Sequence, residues 1–258
     1  MSKDVINFYD TLSPEYRHNM GWDWDKVMRS EGDTLTGFID NILGRSGPHS
    51  LLDCSCGIGT QAIGIALHGY QVQATDLSPV SIECARKEAA ALNLEIGFAV
   101  ADYQALDSVL AQSYEVVLTC DNSIAHCLDD EKLDVALNSM KKMIEPGGML
   151  LVSLRDYDSL VLERPRFNNQ HVQDRSDGRR VVFQVWDWAE DARTYRNSQF
   201  LIRASHEGYE LKSFETELRA LKKEEMLAAL ARAEYVDVQW HVPEQSGYYQ
   251  PIVTARIN

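Results

Sequence analysis

Four residues in the first third of the chain, Asp53, Gly57, Gly59 and Asp76, have the types and spacing to hold a nucleoside. They lie in Leu51-Leu52-Asp53-Cys54-Ser55-Cys56-Gly57-Ile58-Gly59-Thr60 and Ala74-Thr75-Asp76. The first segment reads as a short apolar strand, an abrupt turn and the start of a helix. Gly57 and Gly59 remove Cβ atoms that would keep a ligand off the turn, and they permit dihedrals closed to other residues. A helix starting near Gly59 points unpaired N–H groups and its positive dipole end at whatever sits there. Asp76 closes the run Tyr70-Gln71-Val72-Gln73-Ala74, where a carboxylate can accept both hydroxyls of a ribose.

Two cofactor classes use this geometry. Gly57-Ile58-Gly59-Thr60-Gln61-Ala62 fits the G-x-G-x-x-A dinucleotide fingerprint, with an acid somewhat under ~20 residues further on. S-adenosylmethionine instead carries a ribose, an amino acid tail and a sulfonium. Asp53, before the turn, favours the second class because an acid there can hold the tail's ammonium through the loop. Asp102, in Ala99-Val100-Ala101-Asp102-Tyr103, adds an acid suited to an adenine amino group. With Pro146-Gly147-Gly148 the series resembles the class I S-adenosylmethionine-dependent methyltransferases over roughly residues 50–155. Ser55 departs from it, since many members have glycine there. The resemblance implies cofactor contacts from Asp53, Cys54, Ser55, Gly57, Gly59, Asp76, Leu77, Asp102, Tyr103, Cys120 and Asn122.

Two further segments bear on the acceptor. In Thr119-Cys120-Asp121-Asn122-Ser123-Ile124-Ala125-His126, the Asn122 amide can accept from an amine or donate to a carboxylate, or it can cap the turn. His126 reads equally as a structural histidine or a proton acceptor. Arg155, in Leu150-Leu151-Val152-Ser153-Leu154-Arg155-Asp156-Tyr157-Asp158, ends a buried strand and needs an anion. That anion is either a substrate carboxylate or a partner such as Asp121, Asp156 or Asp158.

Asn122-Ser123-x-x-His126, Pro146-Gly147-Gly148 and Arg155-Asp156-Tyr157-Asp158 together resemble the glycine and glycine/sarcosine N-methyltransferases, and the whole looks like a bacterial branch of them. Tyr9, Trp22 and Met28-Arg29-Ser30-Glu31-Gly32 are similar too. The resemblance implies Tyr9, Trp22 and Arg29 at the methionyl end of the cofactor, and Arg155 on an amino acid carboxylate. The candidate catalytic set is Tyr9, Asn122, His126 and Arg155. Asp121 departs from the pattern, standing where glycine is usual, and Asp156 replaces the usual Asn.

The elements that must position these residues follow from periodicity. Helices are predicted over 4–12 and 24–44, separated by a turn at Ser13-Pro14. From residue 50, strands and helices alternate: 50–54, 60–68, 71–75, 79–92, 95–100, 104–111, 114–120, 130–145 and 148–154. Alternation of this kind predicts a parallel sheet with helices on both faces, its ligand beyond the carboxyl ends of the strands. Segments 180–188, 193–205 and 209–217 predict three antiparallel strands. A helix over 223–234 and strands near 235–241 and 250–257 complete the chain. The expected fold class is α/β: a doubly wound, mostly parallel, seven-stranded sheet with a helical lid and an antiparallel β insertion. The expected units are a lid (1–48), a cofactor-binding core (49–158), a β-rich substrate-covering insertion (159–220) and a C-terminal helix and strands (221–258).

Composition narrows the function classes. The chain has 258 residues and a formal net charge of −14, which disfavours binding to a phosphate backbone. No secretory leader or membrane span is evident. Five cysteines show neither zinc spacing nor a disulfide framework, as in a reduced, cytoplasmic protein. The expectation is an enzyme moving a methyl group from S-adenosylmethionine to a small molecule, without metal, nucleic acid or membrane, and with self-association left open. An amino acid-like amine acceptor fits best. Transfer to oxygen or sulfur, a dinucleotide-dependent oxidoreductase, and a non-catalytic nucleoside-binding module are the rivals.

Overall fold

Two helices precede the sheet. In the computed structural model, which describes residues 3–257, they are α1 (Lys3–Asn19) and α2 (Trp24–Leu43). Met1, Ser2 and Asn258, at the outer ends of the lid and C-terminal units, lie outside the described residues. The chain continues through β1 (Ser50–Asp53), α3 (Thr60–Ala66), β2 (Gln71–Asp76), α4 (Pro79–Ala91), β3 (Gly97–Val100), β4 (Tyr114–Thr119), α5 (Asp130–Lys141) and β5 (Ile144–Ser153). After α6 (Tyr157–Glu163) come four consecutive strands, β6 (Phe167–Arg175), β7 (Gly178–Trp188), β8 (Thr194–Ser205) and β9 (Gly208–Arg219). Helix α7 (Lys223–Arg232), β10 (Val236–His241), the single turn α8 (Pro243–Ser246) and β11 (Ile252–Arg256) end it.

The main sheet has the order β10-β11-β5-β4-β1-β2-β3. The pairs among β1–β5 are parallel, and β11 runs antiparallel to both neighbours. The strand order reverses between β1 and β4, which opens the crevice where such sheets bind ligands. Strands β6–β9 form a separate antiparallel sheet. No helix among the described residues is long and apolar enough to cross a membrane.

Several boundaries differ from expectation. Pro14 does not end α1: it lies within the helix, on the solvent side. Proline removes one helical bond and crowds the carbonyl of residue 10. Flanking contacts hold the helix together: Ser13 Oγ meets Ser81 Oγ at 2.7 Å, and Ser78 Oγ donates to Asp10 Oδ1 at 2.6 Å. The helix expected at 104–111 shrinks to a 3-10 turn, Leu106–Ser108. Pro146-Gly147-Gly148 lies inside β5, where the β4–β5 register shifts, with Gly147 at φ 81°. The insertion has four strands rather than three, plus α6.

Helix α2 is part of the core. Its Leu35, Phe38 and Ile39 pack with Leu51, Val116 and Leu118 of the main sheet. A Cβ on Gly32 would stand 2.4 Å from the backbone of Gly64, so α2 and α3 cross with their backbones touching. Asp23 caps the start of α2 by accepting from Lys26 N, and Gly44 ends it in the left-handed conformation. Of the expected lid, α2 is thus built into the core, whereas α1 packs on α4 and on β9 of the second sheet.

Candidate active site

The loop after β1 is clamped to β2 at the open end of the sheet. Cys56 N donates to Thr75 O at 3.0 Å, and Gly57 N to Asp76 Oδ2 at 2.8 Å. Ser78 N donates to Asp76 Oδ1 at 2.9 Å, so the loop and the β2–α4 turn jointly fix this carboxylate. Ser55, in the usual glycine position, ties its hydroxyl to Thr119 Oγ1 of β4 at 2.8 Å. Asp53 lies beneath the loop, almost fully buried: Oδ1 accepts from Ser55 N, but Oδ2 has no partner. Burial pushes Asp53 up to about 7 and Asp76 up to about 6.

A cavity of about 1210 Å³ opens above this loop. Of the expected cofactor residues, Tyr9, Trp22, Cys54, Ser55, Gly57, Asp76, Leu77, Tyr103 and Asn122 line it. Gly59 does not line it; this glycine sits at φ 94°, where a Cβ would stand 2.8 Å from the Ile63 side chain. Asp102 Oδ1 accepts from Gln104 N in the turn after β3, one residue before Tyr103. Cys120 does not line the cavity and is buried in the core cluster with Leu118, Leu151 and Tyr248. Arg29 is the clear departure: it is exposed on α2, and Glu31, two residues on, lines the cavity in its place. Burial, with help from Asp121, raises Glu31 to about 7; it accepts from Gln61 Nε2 at 2.7 Å and Tyr248 Oη at 3.2 Å.

Also lining the cavity, Asp121 and Asn122 both take left-handed dihedrals, φ 54° and 67°. That explains why glycine suits position 121; aspartate and asparagine are the side chains that tolerate it best. Asn122 lines the cavity and also positions its neighbours, using one of its two amide N–H donors and one lone pair of its oxygen within the protein. Nδ2 donates to Tyr157 Oη at 2.9 Å and Oδ1 accepts from Arg155 N at 3.1 Å. Arg155 is thereby set with its guanidinium 4.8 Å from the Trp186 ring centroid and donating to Tyr195 Oη at 2.6 Å.

Each carboxylate considered as a partner for Arg155 is engaged elsewhere. Tyr249 Oη donates to Asp121, Asp156 caps α6 at Ser159, and Asp158 accepts from Lys223 N. Arg155 makes no direct ion pair with a carboxylate among the described residues, although Asp121 is near enough for the two charges to act on each other. Tyr9 Oη and His126 Nε2 share a hydrogen bond at 3.0 Å. Burial, and secondarily Arg155, pushes His126 down to about 4, so it is neutral near pH 7. Its Nδ1 faces the β9 backbone without a bond of hydrogen-bond geometry. Burial, then Asp76 and Asp121, holds the Tyr9 phenol above its ordinary range.

Sequence reasoning did not single out Glu31, Gln61, Tyr195, Asn197, Gln199 or Thr216. The signal for those on β8 was present: Tyr195, Asn197 and Gln199 share one strand face.

Residues 51–148 match the methyltransferase domain family. Over 145 residues the chain is 29% identical to glycine N-methyltransferase of Rattus norvegicus, covering 52% of this chain and 49% of that one. The chain spans half or less of the length of the first curated relatives it matches. Among solved structures it is similar to the CcbJ methyltransferase of Streptomyces caelestis: TM-score 0.77, 20% identity, 98% and 99% of the two chains covered. It is also similar to an amino pentose methyltransferase of Micromonospora echinaspora: TM-score 0.73, 17% identity, 95% and 96% covered. Residues 51–148 thus match a methyltransferase domain, and the fold is shared with solved S-adenosylmethionine-dependent methyltransferases.

The residues present fit that cofactor. The buried, partnerless Asp53 Oδ2 is an acceptor awaiting a cation or N–H donor. A Cβ on Gly57 would meet nothing within 4 Å, so the glycine keeps open a space beside the Asp76 carboxylate.

Proposed function

We propose that the chain catalyses transfer of the S-adenosylmethionine methyl group to the amine of a small, carboxylate-bearing acceptor. The observation that carries this reading is Arg155, a cation at the cavity wall whose fixed partners are a neutral phenol and an indole face. A planar guanidinium in that setting suits a carboxylate held by two parallel bonds. The rat relative's name, a glycine N-methyltransferase, points the same way.

The cofactor supplies an electrophilic methyl group on a sulfonium, a good leaving group. What remains for the protein is alignment of the acceptor lone pair behind that carbon, with water kept out. Arg155 holds the carboxylate end and Tyr9, between Asp76 and Asp121, faces the amine. The amine arrives neutral after losing a proton. Asp121, raised above its usual range by burial, is an acceptor for it, and neutral His126 supports Tyr9.

Incubating the protein with labelled S-adenosylmethionine and a metabolite extract, then identifying the labelled product, tests the proposal. A methylated amine bearing a carboxylate supports it. Label on oxygen or sulfur, on an acceptor without an anion, or on nothing at all overturns it. The amino pentose enzyme's likeness makes amino sugars the second class to search for in that product.

A further inference from the structure

Strand alternation makes the inner face of the four-stranded sheet a row-by-row pattern. One end is apolar, with Val182, Leu201 and Phe214 against Phe8 and Leu12 of α1 and Met20 just after it. The other end is also apolar, with Trp186, Tyr195 and Leu218 together. Between them the inward positions turn polar: Gln184 on β7, Asn197 and Gln199 on β8, Thr216 on β9, and all four line the cavity. Hydrophobic burial alone would fill this row with aliphatic side chains.

Most of the band is held in place by its own bonds. Trp186 Nε1 donates to Gln184 Oε1 at 3.0 Å, and Gln184 Nε2 donates to Gln199 Oε1 at 2.7 Å. Asn197 breaks the pattern. The residue is 5% exposed, yet its Oδ1 has no hydrogen-bond partner among the described residues. A buried acceptor of this kind is normally satisfied, so the cavity is where its partner belongs. The band continues into the Arg155 region, because the Trp186 ring under the guanidinium is the ring bonded to Gln184.

We propose that Asn197, with Gln184, Gln199 and Thr216, forms a second acceptor subsite that takes a hydroxyl group. Asn197 Oδ1 receives its proton, and the hydroxyl oxygen can accept in turn from a neighbouring donor. The placement of this subsite relative to Arg155 rests on the function proposed above. The acceptor is then larger than glycine: an amine with a carboxylate near it and one or more hydroxyls further along the chain.

The test uses the full chain, labelled S-adenosylmethionine, and two amino acids of equal backbone length, glucosaminic acid with hydroxyls and norleucine without. The expected result is a kcat/KM about ten-fold or more higher for glucosaminic acid. In Asn197→Leu and, separately, Thr216→Val, that ratio falls towards one, with S-adenosylhomocysteine affinity as the check on folding. Equal use of the two acids, or a preference that survives Asn197→Leu in a folded protein, overturns the subsite. Glucosamine and hexylamine form a second pair without carboxylates. A preference for glucosamine with no turnover of either acid keeps the subsite and removes the carboxylate reading. Failure of both hydroxylated amines to bind the S-adenosylhomocysteine complex by calorimetry, or to be methylated, overturns the subsite as well.

Discussion

Arg155 and Tyr195 are joined by a 2.6 Å hydrogen bond across 40 residues, linking the end of the main sheet to the second sheet. The bond fixes the direction of the guanidinium without neutralising it. Tyr157 Oη lies 3.0 Å from Tyr195 Oη and anchors the same group from α6.

Arg155→Lys keeps the charge but loses the planar fork, so kcat/KM should fall about ten- to a hundredfold. Arg155→Ala should cost about 3–5 kcal/mol if the acceptor carboxylate is left unpaired. Tyr195→Phe should raise KM for the acceptor more than it lowers kcat. Steady-state kinetics decide, with S-adenosylhomocysteine affinity expected to hold in all three. Full activity of a folded Arg155→Ala would make the residue structural.

Asp76 is the residue expected to bind the ribose diol. Asp76→Ala should weaken S-adenosylhomocysteine binding by about 2–4 kcal/mol in calorimetry. Asp76→Asn keeps an acceptor for the loop N–H groups and should lose less. Unchanged affinity, or tight NAD binding by the parent, would refute the assignment.

Cofactor binding should depend on pH through the raised acids. Asp53, Asp76 and Glu31 hold protons more tightly in the folded chain than in the unfolded one, up to about 7, 6 and 7. Their ionisation therefore disfavours the free folded state as pH rises from about 4 towards about 7. An ammonium and a ribose diol prefer the ionised carboxylates, so the rise in Tm given by S-adenosylhomocysteine should be larger near pH 8 than near pH 5.5. Asp53→Asn should flatten that dependence. A ligand-induced shift that is the same at both pH values would count against it.

Two glycines should respond in opposite ways. Gly32→Ala forces a methyl into the Gly64 backbone and should lower Tm by about 5–10 °C. Gly57→Ala meets no protein atom, so it should cost only about 1–2 kcal/mol from its left-handed dihedral. It should instead weaken S-adenosylhomocysteine about ten-fold or more. Scanning calorimetry with and without ligand separates the two.

What could be read from the sequence was what local periodicity and turn chemistry determine. The alternation from residue 50 and the carboxylates Asp53 and Asp76 at the ends of β1 and β2 stand where expected. The misses have non-local causes. Pro14 is tolerated because Ser13 and Asp10 bond to α4, far away in sequence. Strand β6 escaped notice because it is an edge strand, polar on both faces over Asn168–His171. Arg29 was given a role by motif position, whereas the rotation of α2 set by Gly32 against Gly64 turns it to solvent. Asn122 was placed correctly in the cavity, but its engagement by Tyr157 and Arg155 depends on tertiary contacts.

Helix α1 touches both ligand regions. It bonds to α4 beside Asp76 through Asp10 and Ser13, packs Phe8 and Leu12 on the second sheet, and pairs Glu15 with Lys212. Tyr9 lies between, bonded to His126. A ligand that settles this helix at one end lowers the ordering cost left for the ligand at the other. Cofactor and acceptor should therefore bind with positive heterotropic coupling, each raising the affinity of the other by the same factor. Either ligand can then bind first, and whichever binds second finds the helix already settled and binds more tightly.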